Sequence, residues 1–225
     1  MLLAGCVTPG SGQLGAAATS AAANQDRALA AESGTKLFGS LVAQLPALHW
    51  SDLELNQGCD PEQAPMWSNP AEARCATTLF RVAGFDSSLT DEIAEFDQAA
   101  RHSGWFDDGD AAEAKIQQFQ SRNGKPWGDN HTFDAGDLIG LNYAGAAFAC
   151  HGSDTHGQWS ASEQWAEAGT QLPVDLDAPG LASGPPSGLF EHSTGPGLHE
   201  LISAALAKHR YAVIVWLNVV CDYQP

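Results

Sequence analysis

Residues 211–220 read YAVIVWLNVV, the most apolar run in the chain, with Asn218 its one strongly polar member. A run of this length, rich in β-branched residues, reads as a central strand of a sheet. It falls well short of the roughly 18 apolar residues that cross a bilayer, and no other run reaches that length. The remaining elements must therefore supply this strand with neighbours and cover.

The periodic segments upstream suit that task. From Gln25 to Leu45, Leu29, Leu37, Leu41 and Leu45 fall at helical multiples with Phe38 beside them, and Pro46 stops the helix. Leu48 to Leu55 alternates apolar and polar and predicts a strand; QGCDPEQAPMWSNP reads as a breaker-rich loop, and Ala76 to Val82 as a second strand. Ser88 opens a helix with Asp91 as its capping-box partner, Leu89, Ile93, Phe96 and Ala100 as its buried stripe, and Gly104 as its end. Asp110 and Glu113 cap a shorter helix through Phe119. Phe133 to Cys150 predicts a hairpin turning near Asn142 to Gly145, residues 151–196 a long irregular insertion, and Leu198 to His209 a helix. This order implies an α+β fold: a mainly antiparallel sheet with helices packed on one face, which suits a ferredoxin-like arrangement. With 225 residues, 44% of them hydrophobic, the chain suits one such domain over residues 25–225.

The chain begins MLLAGC, and Leu3-Ala4-Gly5-Cys6 resembles the lipobox of bacterial lipoproteins. The resemblance implies a diacylglycerol on the Cys6 thiol and cleavage just before it, leaving residues 1–5 as the remnant of a signal peptide. Residues 6–24 then become the lipidated cysteine and a flexible, Ala-, Gly- and Ser-rich tether. Only five residues precede Cys6, and none is basic. Signal peptides carry a basic start and about 7–15 apolar residues, so the resemblance also implies such an extension encoded upstream of Met1.

With Cys6 assigned to lipid, Cys59, Cys75, Cys150 and Cys221 remain, an even number that reads as two disulfides in an exported chain. Four cysteines allow three connectivities. Position favours Cys59–Cys75, which bracket one loop between neighbouring strands, and Cys150–Cys221, each at the end of a strong apolar strand. Ten basic against 27 acidic residues, a net charge of −17, argue against nucleic acid, whose phosphates require clustered Lys and Arg.

Motifs for chemistry are sparse. Ser33 to Lys36 matches S-x-x-K without the partner motifs of penicillin-binding enzymes, and His199-Glu200 starts H-E-x-x-H but meets Ser203 where the second His belongs. Asp107, Asp108, Asp110 and Glu113 lack the register of an EF-hand. His151, Asp154 and His156 lie within six residues and suit Zn²⁺ or Cu²⁺. Trp159 and Trp165 offer two indoles from one insertion, the makings of a platform for a glycan or peptide. No cofactor motif is present. The expectation is a lipid-anchored, extracytoplasmic protein with a non-catalytic binding or envelope-support domain, its partners the membrane lipid and an envelope glycan, peptide or protein. The alternatives are an anchored hydrolase using acidic residues and a metal-binding lipoprotein. Metabolic labelling with an alkyne fatty acid should mark the wild-type protein in its host and leave Cys6→Ser unmarked; equal labelling of both would refute the anchor.

Overall fold

The computed structural model describes residues 11–62, 72–105, 140–151, 156–169 and 190–224, with 114, 116, 117 and 121. In chain order these form α1 (Ser11–Ala18), α2 (Ala21–Gln44), β1 (His49–Trp50), β2 (Glu54–Glu62), β3 (Glu72–Phe85) and α3 (Leu89–His102). There follow β4 (Gly140–Ala149), β5 (His156–Glu167), β6 (Phe190–Ser193), α4 (Leu198–Leu206) and β7 (Tyr211–Tyr223). Ala114, Ile116, Gln117 and Ser121 are also helical, while the capping residues proposed for that segment lie outside the described residues. No helix among the described residues is long and apolar enough to cross a membrane.

The fold is α+β with one seven-stranded antiparallel sheet in the order β4-β5-β7-β3-β2-β6, and β1 pairs with the end of β3. The apolar run is indeed interior. It joins β3 without a register shift from Ala73↔Tyr223 to Phe85↔Tyr211, and β5 on its other side from Ser160↔Asn218 to Glu167↔Tyr211. The ferredoxin-like order is not adopted, because β7 inserts between the antiparallel pairs β2–β3 and β4–β5.

Nor do the helices share one face. Side chains alternate across a strand, so Val213, Val215, Leu217 and Val219 enter one core while Ala212, Ile214 and Trp216 enter another. A strand apolar at successive positions needs cover on both sides. Helices α1, α2 and α3 supply the first core, and Leu198 and Ile202 of α4 supply the second.

The expected tether is corrected most sharply. Residues 11–18 and 21–24 are helical, and Leu14, Ala17, Ala18 and Ala23 are buried. Small side chains look like linker in sequence, yet they allow a helix to lie close against a sheet. Ser20 caps α2 by accepting from the Ala23 N–H at 3.2 Å, and the Arg27 guanidinium donates to the Ala18 carbonyl at 2.8 Å. In α2 the buried face runs through Ala23, Ala30, Gly34, Phe38 and Leu41, whereas Leu29 is exposed.

Other boundaries shift for identifiable reasons. The first expected strand divides into β1 and β2, and β2 continues through Gly58 and Cys59 because each of its residues pairs with β3. Asn142 to Gly145 is no turn: it lies within β4, where a bulge between Ala144 and Ala147 brings Gly145 against the Trp105 ring. Residues 156–167 of the expected insertion form β5, paired on both sides. The capping box at Ser88 is not formed; its hydroxyl meets Thr90, and Ser87 donates to Glu92 instead. Gly104 does end α3, with φ +86°.

Both expected disulfides form. Cys59 and Cys75 face each other in β2 and β3 with Cα atoms 4.0 Å apart, and Cys150–Cys221 spans 5.8 Å. With sequence separations of 16 and 71, loop closure contributes about 3 and about 4 kcal/mol respectively.

Gly34 shows how tightly α2 seats. A Cβ there would lie 2.5 Å from Leu79 Cδ1 and 2.8 Å from Trp159 Cη2, whereas Gly39 in the same helix faces open space. Gly34→Leu should destabilise by about 1–3 kcal/mol through overpacking. Gly39→Leu should stabilise by up to about 1 kcal/mol through helix propensity. Urea unfolding of both variants checks the opposed signs, and equal effects would mean that α2 does not press on the sheet.

Candidate functional site

A groove of about 580 Å³ lies between β1 and α4. Its floor is apolar, with Val82, Leu201 and Ala205, and its polar groups come from His49, Ser51, Lys208 and His209, with Trp50 alongside. Local chain geometry creates it. The short β1 adds to the end of β3 and places His49 opposite Gly84. The turn from α4 into β7 carries His209 onto the same glycine, where any Cβ would collide with the His209 ring. Without that bare backbone the two imidazoles could not stack, as they do at 4.7 Å between centroids and 16° between planes.

Asp86 fixes the histidine. His209 Nδ1 lies 2.9 Å from one carboxylate oxygen, and the Arg210 backbone N–H donates to the other at 2.8 Å. The His209 hydrogen bond, then that of Arg210, holds the Asp86 carboxyl below its ordinary pKa. Arg81 donates to the Ser51 carbonyl at 2.7 Å and places its guanidinium 5.9 Å from the Trp50 ring centre. Burial pulls the pKa of that guanidinium down. The Ser51 hydroxyl donates to the Asp52 carbonyl at 2.9 Å and accepts from the Val82 N–H at 3.1 Å. It is a bridge between backbones, not a nucleophile poised beside a base.

The sites expected from sequence fare differently. Trp159 and Trp165 do not form a platform: both are buried, Trp159 edge-on to Phe148 and Trp165 edge-on to Phe85 and Phe96. They occupy one face of β5, and that face is core. His151 pairs with Asp26 of α2, its Nδ1 2.6 Å from Oδ1 while its backbone N–H donates to Oδ2 at 2.7 Å. The Tyr223 hydroxyl donates to the same buried carboxylate at 2.7 Å, and burial, followed by Asp26, raises the tyrosine pKa. Asp154 and the side chain of His156 lie outside the described residues, as does Cys6. Among the described residues no three His, Cys, Asp or Glu converge as a metal site. The S-x-x-K pair is not assembled, since Ser33 donates to the Leu29 carbonyl and Lys36 to Glu32.

Sequence reasoning missed His49, Trp50, Lys208 and His209. Two His at element ends were the available signal, and only the register of β1 on Gly84 joins them. No family model, characterised protein or solved structure matches this chain.

Among the described residues, the carboxyl raised furthest is elsewhere. Glu163 on β5 is fully buried and accepts from Trp165 Nε1 at 3.1 Å, and its second oxygen has no partner among the described residues. Desolvation raises its pKa well above 4.5, and the nearby Asp97 charge adds to the rise. The folded state therefore favours the protonated acid. Its contribution is intact below the unfolded-state value and is lost as pH rises above it, by at most about 1.4 kcal/mol per pH unit. Glu163→Gln keeps an acceptor for Trp165 and removes the titration. The stability of wild type relative to Glu163→Gln should fall between pH 4.5 and 7 in thermal melts, and parallel curves would contradict the buried neutral acid.

Proposed function

We propose that the protein is a lipid-anchored, extracytoplasmic binding protein that holds a small organic anion of the cell envelope, such as a carboxylate-bearing peptide or glycan fragment, between β1 and α4. One observation carries the reading: in a chain of net charge −17, this groove gathers Lys208, His49 and His209 over an apolar floor, with Arg81 behind Trp50. Small-molecule sites are largely apolar concavities with a few convergent polar groups. The two disulfides suit an oxidising compartment outside the cytoplasm, and the lipobox resemblance supplies the anchor. A ligand anion would be drawn by the rim and repelled by most of the remaining surface, which favours one docking position.

The Asp86–His209 pair supports a second reading, an anchored hydrolase with His209 as general base. Native mass spectrometry of protein purified from its host tests both. A bound anion should be present in the wild type and lost in Lys208→Ala and His209→Ala, and its conversion on incubation would select the hydrolase. Equal retention by the variants, or no bound species at all, would contradict the groove as the binding site.

A further inference from the structure

The four cysteines of the sheet are closer neighbours than two structural bridges require. Cys75 of β3 stands directly opposite Cys59 of β2 on one side and directly opposite Cys221 of β7 on the other. All four line the same core, so Cys221, Cys75 and Cys59 form a row across three adjacent strands, with Cys150 bonded to its end. Directly opposed residues in an antiparallel pair have Cα atoms about 4.5 or 5.5 Å apart. That lies within the range a disulfide spans. The register therefore provides for a third bond, Cys75–Cys221, with no movement of backbone.

Two further features surround this row. A cavity of about 10 Å³ is lined by both Cys75 and Cys221, together with Asp26, Arg27 and Tyr223. The buried Arg27 guanidinium donates to Cys59 Sγ at 3.4 Å and lies 4.0 Å from Cys75 Sγ. It also donates to the Ala18 carbonyl and to Asn24 Oδ1. A cation beside a sulfur favours the thiolate, and the sulfur better held as a thiolate is the better leaving group.

We propose that the four cysteines form a thiol–disulfide relay which accepts two electrons from a dithiol and passes the cleavage from the rim of the sheet to Cys59. This is independent of the groove and of the anchor. Cys150 is the most exposed of the four, at 8%, and precedes the exposed His151. A thiolate of the dithiol attacks Cys150 Sγ, forming a mixed disulfide and releasing Cys221 as a thiolate. Cys221 attacks Cys75 Sγ, forming Cys75–Cys221 and breaking Cys59–Cys75, and Cys59 leaves as a thiolate facing Arg27. The second thiol of the dithiol attacks its own sulfur in the mixed disulfide and frees Cys150, which takes up the proton. The dithiol is oxidised to a cyclic disulfide, and the protein gains two thiols, Cys59 and Cys150, while keeping one disulfide.

The folded chain carrying Cys6→Ser, treated with one equivalent of dithiothreitol, trapped with N-ethylmaleimide and mapped by peptide mass spectrometry, tests the relay. The expected two-electron product carries label on Cys59 and Cys150 and a peptide linking Cys75 to Cys221. Label on Cys150 and Cys221 with Cys59–Cys75 intact, or direct passage to four labelled thiols, would overturn it. Cys59→Ser with Cys150→Ser should close Cys75–Cys221 on air oxidation; two titratable thiols in that folded variant would also overturn it. Arg27→Gln should lower the yield of exchanged product several-fold at an unchanged rate of first cleavage, and an unchanged yield would remove Arg27 from the relay.

Discussion

The unbroken pairing of β3 with β7 is the constraint on which the rest of the molecule depends. It runs from Ala73↔Tyr223 to Phe85↔Tyr211, and both cores are built on its two faces. Both disulfides end on it, Cys75 from β3 and Cys221 from β7. The groove lies at its far end, where Gly84 and Phe85 pair with Ala212 and Tyr211. A strand from the extreme C-terminus thus sits between two strand pairs formed earlier in the chain. Long-range pairing of this kind pays its loop-closure entropy before its contacts form, and the bridges reduce that cost.

How far the sequence disclosed this arrangement depended on whether one segment's own pattern matched its environment. Residues 211–220 were legible because they are apolar on both faces, as an interior strand must be. Helix α3 was legible from its stripe; the Cys59–Cys75 pairing followed from the loop the two bracket, and Cys150–Cys221 from two strand ends. β5 was not legible. Its sequence HGQWSASEQWAE mixes Ser, Gln and Glu with tryptophan, and one of those acids, Glu163, is itself buried. A buried acid defeats a reading based on polarity. Helix α1 and the first turn of α2 failed for the opposite reason: Ala17, Ala18 and Ala23 contribute little apolar area each, yet they are buried because small residues bring helix and sheet together.

The candidate site was legible only in fragments. His49 and His209 are 160 positions apart in the numbering, and no spacing rule connects them. What joins them is the absence of a side chain at Gly84. His151, by contrast, was singled out for a metal and is instead held by Asp26, which with Tyr223 ties α2 to the end of β7. Buried polar groups that are fully hydrogen-bonded specify one arrangement of the elements they join. This network fixes the helix over the sulfur row, just as Asp86 fixes His209 in the groove.

If β7 organises the sheet, its amides should open only when the whole domain unfolds. Native-state hydrogen exchange measures this directly. The amides of 212–222 should be the slowest in the protein, with an opening free energy equal to that of global unfolding. Amides of β6, which among the described residues pairs on one side only, should exchange much faster. Exchange in 212–222 as fast as in β6 would contradict a sheet assembled around its last strand.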